Sequence, residues 1–167
     1  MKRVLFPGRP IALWLSAAAA IGGCTDSVRT AAPASTSAAA ARVVKACELI
    51  PAAEMSAILG GAVSAESNER STGKTLCTYT AQQGISPYLE FSIEWGMGAA
   101  AMTGIGMLGQ HEPGIASPYE GIGDQAVAVG PALMIRTGDD LVTLVFSGVN
   151  EVPAKAKKIF DTAKGRM

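Results

Sequence analysis

Leu89, Phe91, Ile93 and Trp95 alternate with Glu90, Ser92 and Glu94, and this period of two predicts a strand over 88–95 with one face buried and one wet. A half-buried strand of this kind belongs to an antiparallel sheet. Shorter runs at Leu76–Thr80, Gln125–Val129, Ala132–Thr137 and Leu141–Ser147 read as further strands. Gly130-Pro131 and Gly138-Asp139 punctuate the last three, the second pair suiting a type II′ hairpin. Helical spacing takes over elsewhere. Pro51 suits a first helical position, Met55, Ile58 and Leu59 share a face, and Gly60-Gly61 ends the segment. Val152, Ala156, Ile159, Phe160 and Ala163 form one apolar stripe of a final helix that Asn150 is placed to cap. Gly96–Gly109, uncharged and rich in Ala, Met and Gly, is ambiguous; a helix over Ala99–Leu108 is favoured, although its glycines weaken it. His111–Gly123, with Pro113-Gly114, Ser117-Pro118 and Gly121-Ile122-Gly123, reads as a loop. The expected fold is α+β, an antiparallel sheet of about five strands with two or three helices packed on one face.

The first 44 residues follow neither period. Lys2, Arg3 and Arg9 precede an uncharged apolar run, Ile11–Ile21. About eleven helical residues at 1.5 Å each span only about half of a ~30 Å hydrocarbon core, so the run suits an export signal rather than a lasting membrane span. Thr25–Ala41 is Ala, Ser, Thr and Pro with almost nothing to bury, a composition that stays disordered. As a coil it would reach a few nanometres at most. The single folded domain is expected over residues 45–167.

Between signal and tether, Ile21-Gly22-Gly23-Cys24 resembles a lipobox, the processing site of bacterial lipoproteins. The resemblance implies cleavage before Cys24, making 1–23 a signal peptide. It also implies acyl chains such as palmitate on the Cys24 sulfur and its new amino group, and hence attachment to a membrane. Thr25 in place of Asp resembles outer-membrane sorting in Gram-negative lipoproteins; otherwise the outer face of the cell membrane is implied. With Cys24 acylated, Cys47 and Cys77 remain, an even pair in an oxidising compartment and an expected disulfide.

Loss of the leader changes the charge picture. The chain from residue 24 has 11 Lys and Arg against 14 Asp and Glu, a net of −3, which is no footprint for nucleic acid. The charge is also segregated: three basic and twelve acidic residues lie between 46 and 151, five basic and one acidic between 152 and 167. Lys155, Lys157, Lys158, Lys164 and Arg166 suit a solvated helix face, because the opposite stripe is needed for the core; contact with anionic lipid headgroups is the alternative. The apolar stretch 97–108 reads as a buried helix before it reads as a partner surface.

Chemical motifs fail on context. Gly104-Ile105-Gly106-Met107-Leu108-Gly109 and Gly121-Ile122-Gly123-Asp124-Gln125-Ala126 match the dinucleotide fingerprint in letters, but the first lies within a helix-like run and the second precedes a strand. Gly73-Lys74-Thr75 lacks the first glycine of a phosphate loop, position 68 being Asn68. Ser71-Thr72-Gly73-Lys74 fits the S-x-x-K nucleophile pattern without its partner motifs. Glu90 and Glu94 are about 13 Å apart on a strand, beyond the roughly 5–9.5 Å of glycosidase carboxylates. Asp139-Asp140 falls in a turn and reads as solvated. A single histidine, His111, implies no metal site, and no cofactor is implied. Its neighbour Glu112 and the more distant Asp124 complete the only chemical cluster available to a hydrolase.

Cys47-Glu48-Leu49-Ile50 ahead of a helix ending Ile58-Leu59-Gly60, then Cys77-Thr78-Tyr79, then Gly121–Ala126 before a meander, is similar to small bacterial cell-envelope lipoproteins that carry domains of unknown function. The likeness spans about residues 46–163, and its implied disulfide joins the first helical region to an early strand. It implies no catalytic residues. The expectation is therefore a non-catalytic module, sensor-like or immunity-like, that binds an envelope protein or small ligand. Its candidate surface is Glu90, Ser92 and Glu94 together with Tyr119, Gly121, Gly123 and Asp124. The alternative is a periplasmic hydrolase built on His111 and nearby carboxylates.

Overall fold

The computed structural model describes residues 44–68, 73–82 and 88–167, within one compact unit, Ala38–Met167. The leader, Cys24 and the tether lie outside the described residues, as do Ser71 and Thr72 of the S-x-x-K run. Two short helices come first, α1 (Ala46–Leu49) and α2 (Ala52–Leu59), followed by strands β1 (Val63–Ser67), β2 (Lys74–Ala81) and β3 (Tyr88–Glu94). Helix α3 (Gly98–His111) leads to β4 (Ala116–Tyr119), β5 (Gln125–Val129), β6 (Ala132–Thr137) and β7 (Asp140–Ser147), and α4 (Val152–Lys164) closes the chain. All seven strands form one antiparallel sheet in the order β1-β2-β3-β7-β6-β5-β4. The α+β class is as expected, with seven strands instead of about five and four helices among the described residues. No described helix is long and apolar enough to cross a membrane.

The register assigns every strand residue to a face. Tyr79, Leu89, Phe146 and their neighbours Cys77, Phe91, Leu144, Ile93, Val142, Leu133 and Ile135 point one way. They form the main core with Leu49, Ile50, Met55, Ile58 and Leu59 of the first helices and Ala156, Ile159, Phe160 and Ala163 of α4. Helices α1, α2 and α4 therefore cover one face, as the apolar stripes required. Helix α3 does not join them. Its Gly98 lies where a Cβ would be 3.0 Å from Arg136 Cγ and 2.6 Å from Asp140 O, and Arg136 belongs to the opposite face of β6. Buried Met102 and Leu141 lie outside the main cluster, on this second side. The helices are thus divided between the two faces, not gathered on one.

Several joints tie the helical layer to the sheet. Cys47 and Cys77 are bonded, linking α1 to β2. On either side of that link, Ala46 N donates to Thr75 Oγ1 at 2.8 Å and the buried Tyr79 hydroxyl donates to Ile50 O at 2.5 Å. Burial pushes the Tyr79 phenol far above its ordinary range, with the Glu54 charge adding to the effect. At the C-terminus, Arg166 holds Glu54 through both nitrogens, at 2.6 and 3.1 Å, and also donates to Leu49 O. The arginine holds the Glu54 carboxyl below its usual range, outweighing some desolvation. At one edge of the sheet, Val63 N–H donates to Ser56 Oγ, whose hydroxyl donates in turn to Ala52 O.

Local boundaries differ from the sequence reading where caps decide them. Pro51 stands just outside α2, with extended ψ 154, and Gly60 ends it at φ 83. Asn150 does not cap α4: Glu151 is the N-cap residue, with φ 56, and it makes no side-chain cap bond. The segment read as a loop over 111–123 contains β4. The Gly138-Asp139 turn joins the paired Thr137 and Asp140, and only its glycine has a positive φ, as a type II′ turn requires.

Candidate functional site

The second face of the sheet is laid out in rows by the register. One row runs Lys74–Glu94–Leu141–Arg136–Gln125, and the next runs Leu76–Ser92–Thr143–Met134–Val127–Pro118. A third runs Glu66–Thr78–Glu90–Val145–Ala132–Val129–Ala116. The first row carries the Lys74–Glu94 ion pair, 2.6 Å, at one end, and the start of α3 packs against Arg136 within it. In the second row Leu76 and Ser92 are buried, each 6 % exposed. The third row is the open one. Thr78, Glu90, Val145, Ala132 and Val129 are half-buried and Glu66 is exposed. It offers four small apolar side chains beside two carboxylates and a hydroxyl, bordered by Tyr88, whose hydroxyl donates to Glu90.

Helix α3 borders this face, and it carries or adjoins every exposed large apolar side chain among the described residues. These are Met97 at 46 %, Met107 at 56 % and Leu108 at 40 %. The helix folds this way because its inner positions, Gly98, Ala101, Met102, Ile105 and Gly109, follow i, i+3, i+4 spacing. Its remaining positions are small or uncharged and need no burial. Three contacts pin its start to the β6–β7 turn: Gly98 N–H to Asp139 O at 2.8 Å, Gly96 N–H to the Asp140 carboxylate at 2.9 Å, and the close backbone approach at Gly98. Asp140, expected to be merely solvated, thus anchors the helix.

The seven residues of the candidate surface are not brought into one patch. Glu90, Ser92 and Glu94 do share the second face, but Ser92 is buried and Glu94 is engaged by Lys74. Tyr119 pairs with Ala126 on the core face and packs against the main core. Gly121 and Gly123 both have positive φ, 79 and 63. Gly121 has open space around it, whereas a Cβ at Gly123 would lie 2.4 Å from Ile135 Cγ2 and 2.6 Å from Arg136 O. Ile122 between them is buried. Asp124 accepts from Gly138 N–H at 2.6 Å through its carboxylate, and its own N–H donates to Arg136 O at 2.8 Å. The G-x-G-x-x-A letters thus describe a brace clamping the chain onto the β6–β7 hairpin. The open-row residues Thr78, Val129, Ala132 and Val145 escaped the sequence reading because only the register across five strands lines them up with Glu90.

The hydrolase cluster also fails to assemble. Asp124 is fixed to the β6–β7 turn, which also holds the first residue of α3, whereas His111 is the last residue of that helix. Thirteen steps at 1.5 Å carry His111 roughly 20 Å along the axis from that end. His111 and Glu112 are both exposed. Among the described residues, no group of three or more His, Cys, Asp or Glu side chains is placed to hold a metal ion. No family model, curated protein or solved structure matches the chain.

Proposed function

We propose that this chain is a membrane-anchored envelope lipoprotein whose domain binds a protein or small ligand without catalysis, using the second face of its sheet. The observation that carries the binding reading is the open row, where half-exposed Val129, Ala132 and Val145 line up with Glu90 and Thr78, on the same face of the sheet that α3 packs against with Met107 and Leu108 exposed. An apolar strip with a polar margin is the usual anatomy of a recognition patch. The anchor rests on the lipobox-like run and the basic, apolar leader before it. An exported, oxidising location accords with the Cys47–Cys77 bond.

The test is capture from envelope extracts by the tagged, membrane-anchored protein, with bound species identified by mass spectrometry. Glu90→Lys combined with Met107→Glu changes two surface positions and should abolish capture while leaving the unfolding midpoint in place. His111→Ala should change neither. A turnover activity that disappears in His111→Ala at unchanged stability would overturn the reading in favour of the hydrolase.

A further inference from the structure

Charge is sorted across the thickness of the domain. Among the described residues, six of the eight Lys and Arg side chains belong to the helical layer: Lys45 at the start of α1, then Lys155, Lys157, Lys158, Lys164 and Arg166 on and just after α4. Only four of the twelve Asp and Glu side chains lie there, Glu48, Glu54, Glu151 and Asp161, leaving a side-chain surplus of two positive charges. The rest of the described chain has two cations and eight carboxylates, a surplus of six negative charges. Two of the six cations are held in ion pairs. Arg166 grips Glu54, and Lys157 pairs with Asp161 at 2.6 Å, although with both side chains more than half exposed that pair leaves the lysine open to another anion. Among the described residues Lys155, Lys158 and Lys164 make no ion pair, although Lys158 adds to the field on Glu54 and the Lys164 ammonium lies 5.8 Å from the centre of the Phe160 ring.

The chain enters the folded domain on this same layer. Val44 packs against the main core, Lys45 starts α1, and the far end of α1 receives Arg166 from the end of α4. The tether therefore joins the domain on the helical layer, and its residues are few enough to keep the entry point within a few nanometres of whatever holds Cys24.

We infer that α4, with Lys45 of the same helical layer, forms a membrane-facing surface, seating the domain on an anionic phospholipid layer and turning the acidic second face outward. The inference rests on the lipid-anchored reading for its setting, but its chemistry stands apart from the anchor. Basic side chains gathered on one surface are attracted to an anionic leaflet within a screening length of it. Tethering makes the second contact intramolecular, so even weak attraction sets orientation. The four α4 lysines project from the helix flanks and outer side, while Ala156, Ile159, Phe160 and Ala163 stay in the core, so no unfolding is needed for contact.

The test uses the chain from residue 24 with Cys24→Ser, which keeps the whole folded unit and removes acylation. Its co-sedimentation is measured with vesicles of phosphatidylcholine alone and of phosphatidylcholine with three-tenths phosphatidylglycerol. Partitioning should be about tenfold or more greater on the anionic vesicles at low ionic strength and should collapse in 0.5 M NaCl, where the screening length is only a few ångströms. Replacing Lys155, Lys157, Lys158 and Lys164 with Gln, a good helix former, should abolish the difference with the circular dichroism unchanged. Equal partitioning on the two vesicle types, or anionic binding that survives the four substitutions, would overturn the inference. The anchor is judged separately, by whether Cys24→Ser moves the protein out of the cellular membrane fraction.

Discussion

The pair Gly121 and Gly123 offers a controlled test of whether the glycine-rich segment braces the fold or recognises a ligand. Both have positive φ, so an alanine at either carries the left-handed backbone penalty of roughly 1–2 kcal/mol. At Gly121 the new methyl meets open space, and the backbone penalty is the whole effect. At Gly123 it meets Ile135 Cγ2 at 2.4 Å and Arg136 O at 2.6 Å. Ile135 is fully buried, and Arg136 O already accepts from Asp124 N–H, so neither can retreat without opening the core or breaking the brace. Overpacking of this kind adds about 1–3 kcal/mol, giving a total of about 2–5 kcal/mol for Gly123→Ala. Urea unfolding of the chain from residue 24, followed by fluorescence of Trp95, its one tryptophan, gives both values in a single format. The reasoning fails if the two substitutions agree within about 0.5 kcal/mol, since only the steric contact distinguishes them. Loss of partner capture in Gly123→Ala without a fall in stability would instead make the segment part of the binding surface.

Replacing Cys47 and Cys77 together with Ala should lower stability by about 3–4 kcal/mol, because the bond closes a separation of 30 residues in the unfolded chain; urea melts with the m-value compared check it. Tyr79→Phe should cost about 1–3 kcal/mol by leaving the buried Ile50 carbonyl without its donor, measured in the same way. The Glu54 carboxyl is depressed by Arg166, so its contribution is present above its ordinary value of 4.5 and is lost as pH falls through the lower folded value. Below about pH 4.5, then, the wild-type melting temperature should fall more steeply than that of Glu54→Gln. The Tyr79 shift has the opposite sign. Its phenol is raised from 10.0, so the stability it confers is complete below that pH and erodes above it, and Tyr79→Phe should flatten the alkaline limb of the same profile.

Much of the sheet was legible because burial on one face imposes a strict period. Leu89, Phe91 and Ile93 announced the buried side of β3, and Gly130-Pro131 and Gly138-Asp139 bounded β5, β6 and β7. The apolar stripe of α4 was equally plain. The missed pieces lack such a signal. Strand β1 buries only Val63 of its five residues, and β4 contains Ser117 and Pro118, so neither alternates visibly. Helix α1 is a single turn held by Thr75 and the disulfide, contacts distant in sequence. The polar side of β3 reads as wet by its period, yet Ser92 is buried, because the period reports a residue's face and not what lies over it. Of the candidate surface, Glu90 was legible; the apolar half of its row belongs to strands far along the chain, and register alone makes them neighbours.

The two outer strands decide how this protein tolerates being crowded. An open sheet ends in unpaired backbone groups that can template further strands, the usual route to fibrous aggregation. Here β1 is five residues long, carries Glu66, and has its first N–H occupied by Ser56, while β4 is four residues long and includes Pro118, which has no N–H at all. Molecules packed side by side are thus denied an easy strand-to-strand seam. A domain held at high local density can remain a population of separate units.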